Sequence, residues 1–170
     1  MGVKEIIEKR RAYRSLVPVD ISDDFIADLA KCASLAPSCF NRQPWRFVFV
    51  KSDEMKEKVR ETLSRGNEWA KDGSLYVAVY SKKDFDCVYR GKEYFLFDTG
   101  IATAFLILRA TELGYVAHPI AGFDDGRLKR ILNIPDDMTL ISLIVVGRHS
   151  GEDEGKRPER LKMEEFAEVV

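Results

Sequence analysis

The chain has few of the residues that metal sites and many hydrolases need. Only two histidines occur among 170 residues, and the three cysteines form no Cys-x-x-Cys motif. Neither histidine lies near a cysteine at a metal-ligand spacing. We therefore predict no metal site and no Ser-His-Asp or paired-carboxylate hydrolase. We interpret Cys32, Cys39 and Cys87 as reduced thiols in a cytosol, because an odd number leaves one unpaired.

Long apolar runs and an excess of charge are also absent. No run of about 18 apolar residues is available to span a membrane, and the N-terminus lacks the apolar core of an export signal. The 27 basic and 28 acidic residues leave a net charge of -1, so no field attracts nucleic acid. We expect one cytoplasmic domain, residues 1–170, that binds neither a membrane nor nucleic acid.

Helical and strand patterns alternate without a regular β-α-β rhythm. The patterns predict helices at 3–9, from Ser22 or Asp23 to Ala33, after Ser52, from about Glu93 to Gly114 and from Asp124 or Asp125 to Leu132, and strands at 45–50, 75–80 and 140–146, with a loop at 81–92. This order indicates an α+β fold, a small mixed or antiparallel sheet flanked by helices. No G-x-G-x-x-G follows a strand, which disfavours a doubly wound nucleotide fold.

The predicted long helix is apolar on all sides at 101–108. Such a helix must be covered all round, so we expect its own sheet on one side and a second subunit on the other. Residues 150–170 are highly charged and resemble a disordered segment in composition. We nevertheless expect this tail to be ordered, because its scattered apolar residues offer anchors for packing on a partner subunit.

A proline-bounded loop at 36–45 carries polar groups between apolar segments. Pro37 and Pro44 prevent a helix from running through it. Three polar side chains lie between the prolines: Ser38, Asn41 and Gln43. Such a loop suits the polar edge of a flat heterocycle, and it equally suits a turn whose polar groups satisfy their own backbone. The residues alone do not decide between these two interpretations.

Three arginines lie together at the end of the first predicted helix. Arg10, Arg11 and Arg14 form either a solvated basic patch or an anion site. Planar guanidinium groups suit a phosphate monoester, because they carry a permanent charge and present paired donors.

Five segments resemble motifs of the FMN-dependent nitroreductase family, and they occur in the order typical of that family. They are 10–14, 36–45, 98–102 with 113–114, 119–123 and 160–165. The resemblance implies a nitroreductase-like fold and an intertwined homodimer. It also implies bound FMN, which NADH or NADPH reduces transiently.

The resemblance assigns flavin contacts to this chain. It implies that the FMN phosphate is held by Arg10, Arg11, Arg14 and Arg160. From the opposite subunit, the flavin is reached by Pro37, Ser38, Cys39 and Asn41. Asn67 is expected at the pyrimidine edge of the ring. The segment beside the ring is Pro119, Ile120, Ala121 and Gly122, where the missing side chain of Gly122 lets the backbone approach closely.

The resemblance further implies hydride transfer from NAD(P)H to flavin N5. A nitroaromatic, quinone or similar flat acceptor then takes the place of the nicotinamide, which gives ping-pong kinetics. We assign no catalytic side chain. Phe40 and Phe95 are expected to contact the acceptor by aromatic stacking. Two alternatives remain open: a flavin-binding redox-sensing or carrier module with little turnover, and a flavin-free partner-binding dimer.

Overall fold

The structure is a computed structural model that describes residues 2–152, 155 and 157–170. Its helices are α1 (Val3–Lys9), α2 (Asp23–Ser34), α3 (Asp53–Arg60), α4 (Phe95–Glu112) and α5 (Asp125–Leu132). Its strands are β1 (Leu16–Val17), β2 (Arg46–Val50), β3 (Leu75–Ser81), β4 (Val88–Tyr89), β5 (Lys92–Glu93), β6 (Val116–Ile120) and β7 (Thr139–His149). Short 3-10 turns occur at Cys39–Asn41, Glu68–Asp72, Lys83–Phe85 and Met163–Glu165. The predicted α+β fold is confirmed.

Strand β7 organises a five-stranded sheet in which every pair is antiparallel. It pairs with β3 along one edge and with β6 along the other, and its last two residues pair with β1. Strand β2 continues the sheet beyond β3. The order β6-β7-β3-β2 therefore places β6 and β2 on opposite sides of the sheet centre. Residues 143–147 of β7 are buried, which explains why its sequence is almost wholly apolar.

The two faces of the sheet support separate cores. Val77 and Ile144 pack with α2 and α4 on one face, where Leu29 and Leu106 are fully buried. The alternate residues of the same strands pack on the other face with Leu128 of α5 and with α3. This alternation follows from the two-residue repeat of a strand. Helices therefore flank the sheet on both sides, as predicted.

Only part of the apolar surface of α4 is covered in the single chain. Ala102, Leu106 and Ala110 are buried against the sheet and α2, whereas Phe97 and Phe105 are exposed. A groove of about 300 Å³ runs beside Phe105, between α4 and the ends of α1 and α2. No helix within the described ranges is both long and apolar enough to cross a bilayer.

The stretch predicted as a loop at 81–92 contains a hairpin. Strands β4 and β5 pair through Val88 with Glu93 and Tyr89 with Lys92. Arg90 and Gly91 between them both have positive φ, 50° and 78°, as a two-residue type I′ turn requires. The loop prediction was wrong because Arg-Gly is not among the usual dipeptides of this turn, and the flanking residues do not alternate clearly.

The first part of the charged tail lies against the end of α1. The Arg157 guanidinium donates to the backbone oxygens of Glu8 and Arg10, at 2.8 and 3.2 Å. Farther along, the apolar side chains of Met163 and Phe166 are exposed. Residues 153, 154 and 156 of the predicted ordered tail lie outside the described residues.

We expect Leu106→Ala to lower the free energy of unfolding by about 2–5 kcal/mol, because it opens a cavity between α4 and the sheet. Lys58→Ala, on the solvent side of α3, is the matched control and should change stability by less than about 0.5 kcal/mol. Urea unfolding followed by circular dichroism measures both. Equal effects of the two substitutions would contradict the packing described for α4.

Candidate functional site

Three arginines carry charges that act on one another where the tail meets the end of α1. We call Arg10, Arg157 and Arg160 the arginine cluster. Burial first, and then the charges of Arg160 and Arg157, lower the pKa of Arg10. Like charges repel when they are brought together, and a bound anion relieves that repulsion. The cluster is therefore suited to a phosphate group.

The cluster contains two of the four arginines predicted to bind phosphate, Arg10 and Arg160, and adds Arg157. Helix α1 ends at Lys9, so Arg10 and Arg14 do not share a helix face. The guanidinium carbon of Arg14 lies 5.9 Å from the centre of the Trp69 ring, and that of Arg11 lies 5.2 Å from the Tyr13 ring. The phosphate roles of Arg11 and Arg14 remain predictions. Arg157 was missed because the segment around it is rich in charge and carries no periodic signal.

An aromatic stack lies beside Arg14. The rings of Trp69 and His118 are 4.5 Å apart, and Nδ1 of the buried His118 lies 3.1 Å from the Tyr13 carbonyl oxygen. The indole N–H of Trp69 is buried without a hydrogen-bond partner among the described residues. A buried donor of this kind is suited to an acceptor on a bound molecule. His149 stacks on Tyr13, with the two ring centres 3.8 Å apart.

Two predicted flavin-contacting segments, 55 residues apart, meet next to this stack. The side-chain amide of Asn67 donates to the Gly122 carbonyl at 2.9 Å, and the Ser64 amide donates to the same oxygen at 3.0 Å. A Cβ atom at Gly122 would lie 2.3 Å from Nδ2 of Asn67. A side chain at position 122 would therefore displace the Asn67 amide from its present position. We call Asn67, Trp69, His118 and Gly122 the ring-side set.

The other predicted residues of this segment differ in exposure. Pro119 and Ala121 are exposed, whereas the Ile120 side chain is buried in the core beneath the sheet. The Ile120 carbonyl accepts a hydrogen bond from Ser142 at 3.0 Å. A ligand at this position therefore meets mainly backbone and the two exposed side chains.

The proline-bounded loop satisfies some of its own polar groups. Ser38 Oγ accepts from the Gln43 amide at 2.9 Å, and Gln43 Nε2 donates to the Asn41 carbonyl at 3.2 Å. Phe40, Asn41 and Gln43 all have positive φ, which is uncommon for residues other than glycine. The Cys39 amide anchors the loop by donating to Asp98 at 2.6 Å. The loop therefore forms an internal turn, and it also carries side chains outward from that turn.

A cavity of about 460 Å³ lies between this loop, the β4–β5 hairpin and the start of α4. We call it the loop cavity. Pro37, Ser38 and Cys39 line one wall, and its aromatic lining consists of Phe40, Tyr89, Tyr94 and Phe97. Phe40 is 89% exposed, whereas Phe95 is only 6% exposed and lies in the interior. Of the two predicted acceptor contacts, Phe40 is on the cavity wall and Phe95 is not.

Cys39 and Cys87 form a disulfide in the wall of the loop cavity, with their Cα atoms 6.2 Å apart. The prediction that all three cysteines are reduced thiols is therefore wrong for this pair, and Cys32 is the free thiol. The hairpin folds back onto the loop and joins residues 48 positions apart, a relation that spacing does not reveal. Asp86 approaches both sulfur atoms within 4.8 Å, but sulfurs joined to each other are not metal-binding thiolates.

Two buried carboxyl groups lie beneath the disulfide. Asp86 is 6% exposed and Asp98 is 3% exposed. Asp86 accepts from the Cys87 amide at 2.8 Å, and Asp98 accepts from the Cys39 amide. Burial is the main cause that raises the pKa of Asp86, and the neighbouring Asp98 carboxyl raises it further. The hydrogen bond from the Cys87 amide and the charge of Arg42 lower it. Sequence reasoning missed this pair because neither acid is near the other in the chain.

The ring-side set and the loop cavity lie near opposite edges of the sheet. His118 lies on β6 and Gly122 follows it, whereas the loop leads directly into β2. Strands β6 and β2 are three strand spacings apart, which corresponds to roughly 14 Å. The predicted flavin contacts therefore fall into two separate groups within one chain.

The family model described as "Nitroreductase family" matches residues 7–148. The chain belongs to the nitroreductase family. MhqN of Bacillus subtilis (strain 168), named as an NAD(P)H nitroreductase, is 27% identical over 96% of each chain. Iodotyrosine deiodinase of Haliscomenobacter hydrossis is 26% identical, over 84% of this chain and 77% of the relative.

Solved structures have the same fold. A nitroreductase from Exiguobacterium sibiricum 255-15, crystallised in complex with FMN, superimposes with a TM-score of 0.88 at 23% identity. The match covers 100% of this chain and 98% of that one. The nitroreductase-like fold and the oxidoreductase class predicted from the motifs are confirmed. FMN is the cofactor of the nitroreductase family. The individual site residues remain predictions.

We expect Gly122→Ala to lower the free energy of unfolding by about 1–3 kcal/mol, because the added methyl group meets the Asn67 amide. Gly100→Ala is the matched control, since a Cβ there meets no atom within 4 Å. Adding Asn67→Ala to Gly122→Ala should cost less than the sum of the two single changes. Chemical unfolding measures all four variants. Strict additivity would contradict the close approach of these two residues.

Proposed function

We propose that residues 1–170 form one FMN-binding domain of an NAD(P)H-dependent oxidoreductase that reduces nitroaromatic, quinone or similar flat acceptors. The observation that carries this proposal is the arginine cluster. The Arg157 guanidinium donates to the Arg10 carbonyl there, and burial, together with the charges of Arg160 and Arg157, lowers the pKa of Arg10. A terminal phosphate provides the negative charge and the multiple acceptors that such a cluster lacks.

The ring-side set supports FMN as the particular phosphate compound. The buried Trp69 N–H has no hydrogen-bond partner among residues 2–152, 155 and 157–170, and Pro119 and Ala121, which flank Ile120, are exposed. A flat heterocycle with carbonyl and ring-nitrogen acceptors fits a site that offers an unused donor. The residues present therefore fit the phosphate and the ring of FMN.

The chain contributes binding, orientation and exclusion of water, rather than a proton-transferring side chain. When bound, FMN supplies hydride acceptance from NAD(P)H and electron transfer to the acceptor, which leads to ping-pong kinetics. His118 is held by Tyr13 and Trp69, which suits a role in positioning the stack. The aromatic residues of the loop cavity offer faces to flat acceptors, and each ring pair contributes roughly 0.5–1.5 kcal/mol beyond burial.

We further propose that the working form is a homodimer. The ring-side set and the loop cavity lie at opposite sides of one sheet, so a second copy is needed to bring the loop of one subunit to the ring-side set of the other. Exposed apolar side chains offer surface for this contact, among them Phe105 on α4 and Phe166 in the tail. These surfaces are separated on one chain and suit an intertwined arrangement.

We expect Arg10→Ala and Arg160→Ala each to weaken FMN binding by roughly 10- to 100-fold, since hydrogen bonds to a charged group contribute about 1.5–3 kcal/mol. Riboflavin, which has no phosphate, should be bound almost as well as by the unchanged protein. Flavin fluorescence titration measures both ligands, and Lys58→Ala serves as the surface control. Equal losses for FMN and riboflavin would refute a phosphate site at the cluster.

We expect Phe105→Asp, and separately deletion of residues 156–170, to shift the dimer toward monomer and to weaken flavin binding. The aspartate introduces a charge on an apolar face, and the deletion removes both Arg160 and the apolar tail residues. Light scattering and flavin titration at matched concentrations measure these effects. Truncated protein that remains dimeric and retains its flavin would show that the tail is a solvated appendage.

We expect Phe40→Ala to change acceptor preference or the acceptor KM while FMN affinity stays nearly constant, because Phe40 stands on the wall of the loop cavity. Phe40→Tyr, which retains an aromatic face, should preserve the preference. Steady-state kinetics with a nitroaromatic and a quinone measure the change. Loss of flavin with unchanged acceptor kinetics in the reconstituted enzyme would instead assign Phe40 a structural role.

A further inference from the structure

The disulfide between Cys39 and Cys87 is accessible to small molecules. Both residues are half-buried and both line the loop cavity, whose volume of about 460 Å³ falls within the range of small-molecule sites. A disulfide that serves only to strengthen a fold does not need to border a cavity. A thiol that enters this cavity therefore meets both half-buried cysteines.

The segments joined by the disulfide are also held by other bonds. The Cys39 amide donates to Asp98, and the Tyr94 amide donates to the Cys87 carbonyl at 3.2 Å. The loop is fixed further by the Ser81 hydroxyl, which donates to the Pro44 carbonyl at 2.8 Å. Opening the disulfide therefore leaves the loop and the hairpin anchored, so the bond can open and close within the folded protein.

Asp86 is placed to exchange a proton with Cys87. Its Oδ1 atom lies 3.6 Å from Cys87 Sγ, and its buried Oδ2 atom accepts no hydrogen bond within the described part of the chain. Asp98 from α4 and Arg42 from the loop are the charged groups that act on it. Burial and Asp98 raise the pKa of Asp86, which favours the protonated acid beside the sulfur.

We propose that Cys39 and Cys87 form a thiol–disulfide exchange site, at which a small thiol that enters the loop cavity reduces the bond and Asp86 protonates Cys87. The exchange uses only these residues and a thiol, and it takes place in the loop cavity that the proposed function assigns to flat acceptors. Its substrate class is low-molecular-weight thiols, because the sulfur atoms lie in a cavity wall and not on a projecting surface.

The exchange takes place in two balanced steps. The incoming thiolate attacks Cys39 Sγ, a new sulfur–sulfur bond forms, and the Cys39–Cys87 bond breaks. The electron pair moves to Cys87 Sγ, which takes the Asp86 proton. A second small thiolate attacks the outer sulfur of the mixed disulfide and releases Cys39, which takes a proton from water. Two small thiols are thereby oxidised to one disulfide, the protein disulfide is reduced to two thiols, and Asp86 regains its proton from solvent.

The test uses full-length folded protein with Cys32→Ser, so that Cys39 and Cys87 are the only cysteines. Reduction by 2-mercaptoethanol and by dithiothreitol is followed by alkylation and mass spectrometry. We expect complete reduction without loss of the native circular dichroism spectrum, and a transient mixed disulfide on Cys39. Resistance of the folded protein to dithiothreitol, with ready reduction in urea, would overturn the proposal and identify a purely structural bond.

The role of Asp86 has its own readout. We expect the rate constant per thiolate to be constant at low pH and to fall as pH rises through the pKa of Asp86, because the proton donor is then lost. Asp86→Asn should reduce the rate roughly tenfold or more and remove this pH dependence. Asp84→Asn, an exposed acid two residues away, is the matched control. A flat profile in the protein that retains Asp86 would refute its role even if Asp86→Asn did not fold.

The substrate class is tested by comparing small thiols with a reduced protein dithiol. We expect the small thiols to reduce the bond faster at equal thiolate concentration, since only they fit within the loop cavity. Reduction by the protein dithiol alone would contradict a small-thiol site. A mixed disulfide trapped only on Cys87 would contradict the direction of attack proposed here.

Discussion

Strand β7 pairs with three other strands, and the positions of both candidate sites follow from this pairing. Its central residues are buried on both faces, so helices must cover the sheet on both sides. Strand β6, on one side of β7, carries His118 and leads to Gly122, and β2, beyond β3 on the other side, is preceded by the proline-bounded loop. Loss of β7 pairing would therefore disrupt the sheet that positions the ring-side set and the loop cavity.

The two sites illustrate opposite electrostatic problems in one small protein. The arginine cluster brings positive charges together, and Asp86 and Asp98 bring two acids together beneath a disulfide. In both arrangements the like charges repel and burial disfavours the ionised forms, which opposes the hydrogen bonds that the same residues make. A bound anion would relieve the repulsion in the arginine cluster, and a proton on Asp86 would relieve the repulsion between the two acids. Both arrangements are therefore candidates for the chemistry proposed above.

The sequence predicted the features that depend on local patterns and missed those that depend on tertiary contacts. The apolar runs of β7 and α4 and the cap at Ser22 were readable, because burial and capping leave periodic or positional signals. Arg10 and Arg160 were assigned to the phosphate through motifs, and that assignment remains a prediction. The pairing of Cys39 with Cys87 and the approach of Asp86 to Asp98 required the β4–β5 hairpin, whose Arg-Gly turn gives little signal. The sequence also did not show that Phe95, the first residue of α4, lies in the interior.

The most direct test of the central claim is an anaerobic titration of the FMN-reconstituted protein. The account predicts that NADH or NADPH bleaches the yellow absorbance of bound flavin, and that a nitroaromatic or quinone then restores it after the nicotinamide has been removed. Recovery in the second half-reaction shows that one protein carries out both halves of the reaction. Protein that binds no flavin, or whose flavin is not bleached by either nicotinamide, would contradict the assignment as an NAD(P)H-dependent oxidoreductase.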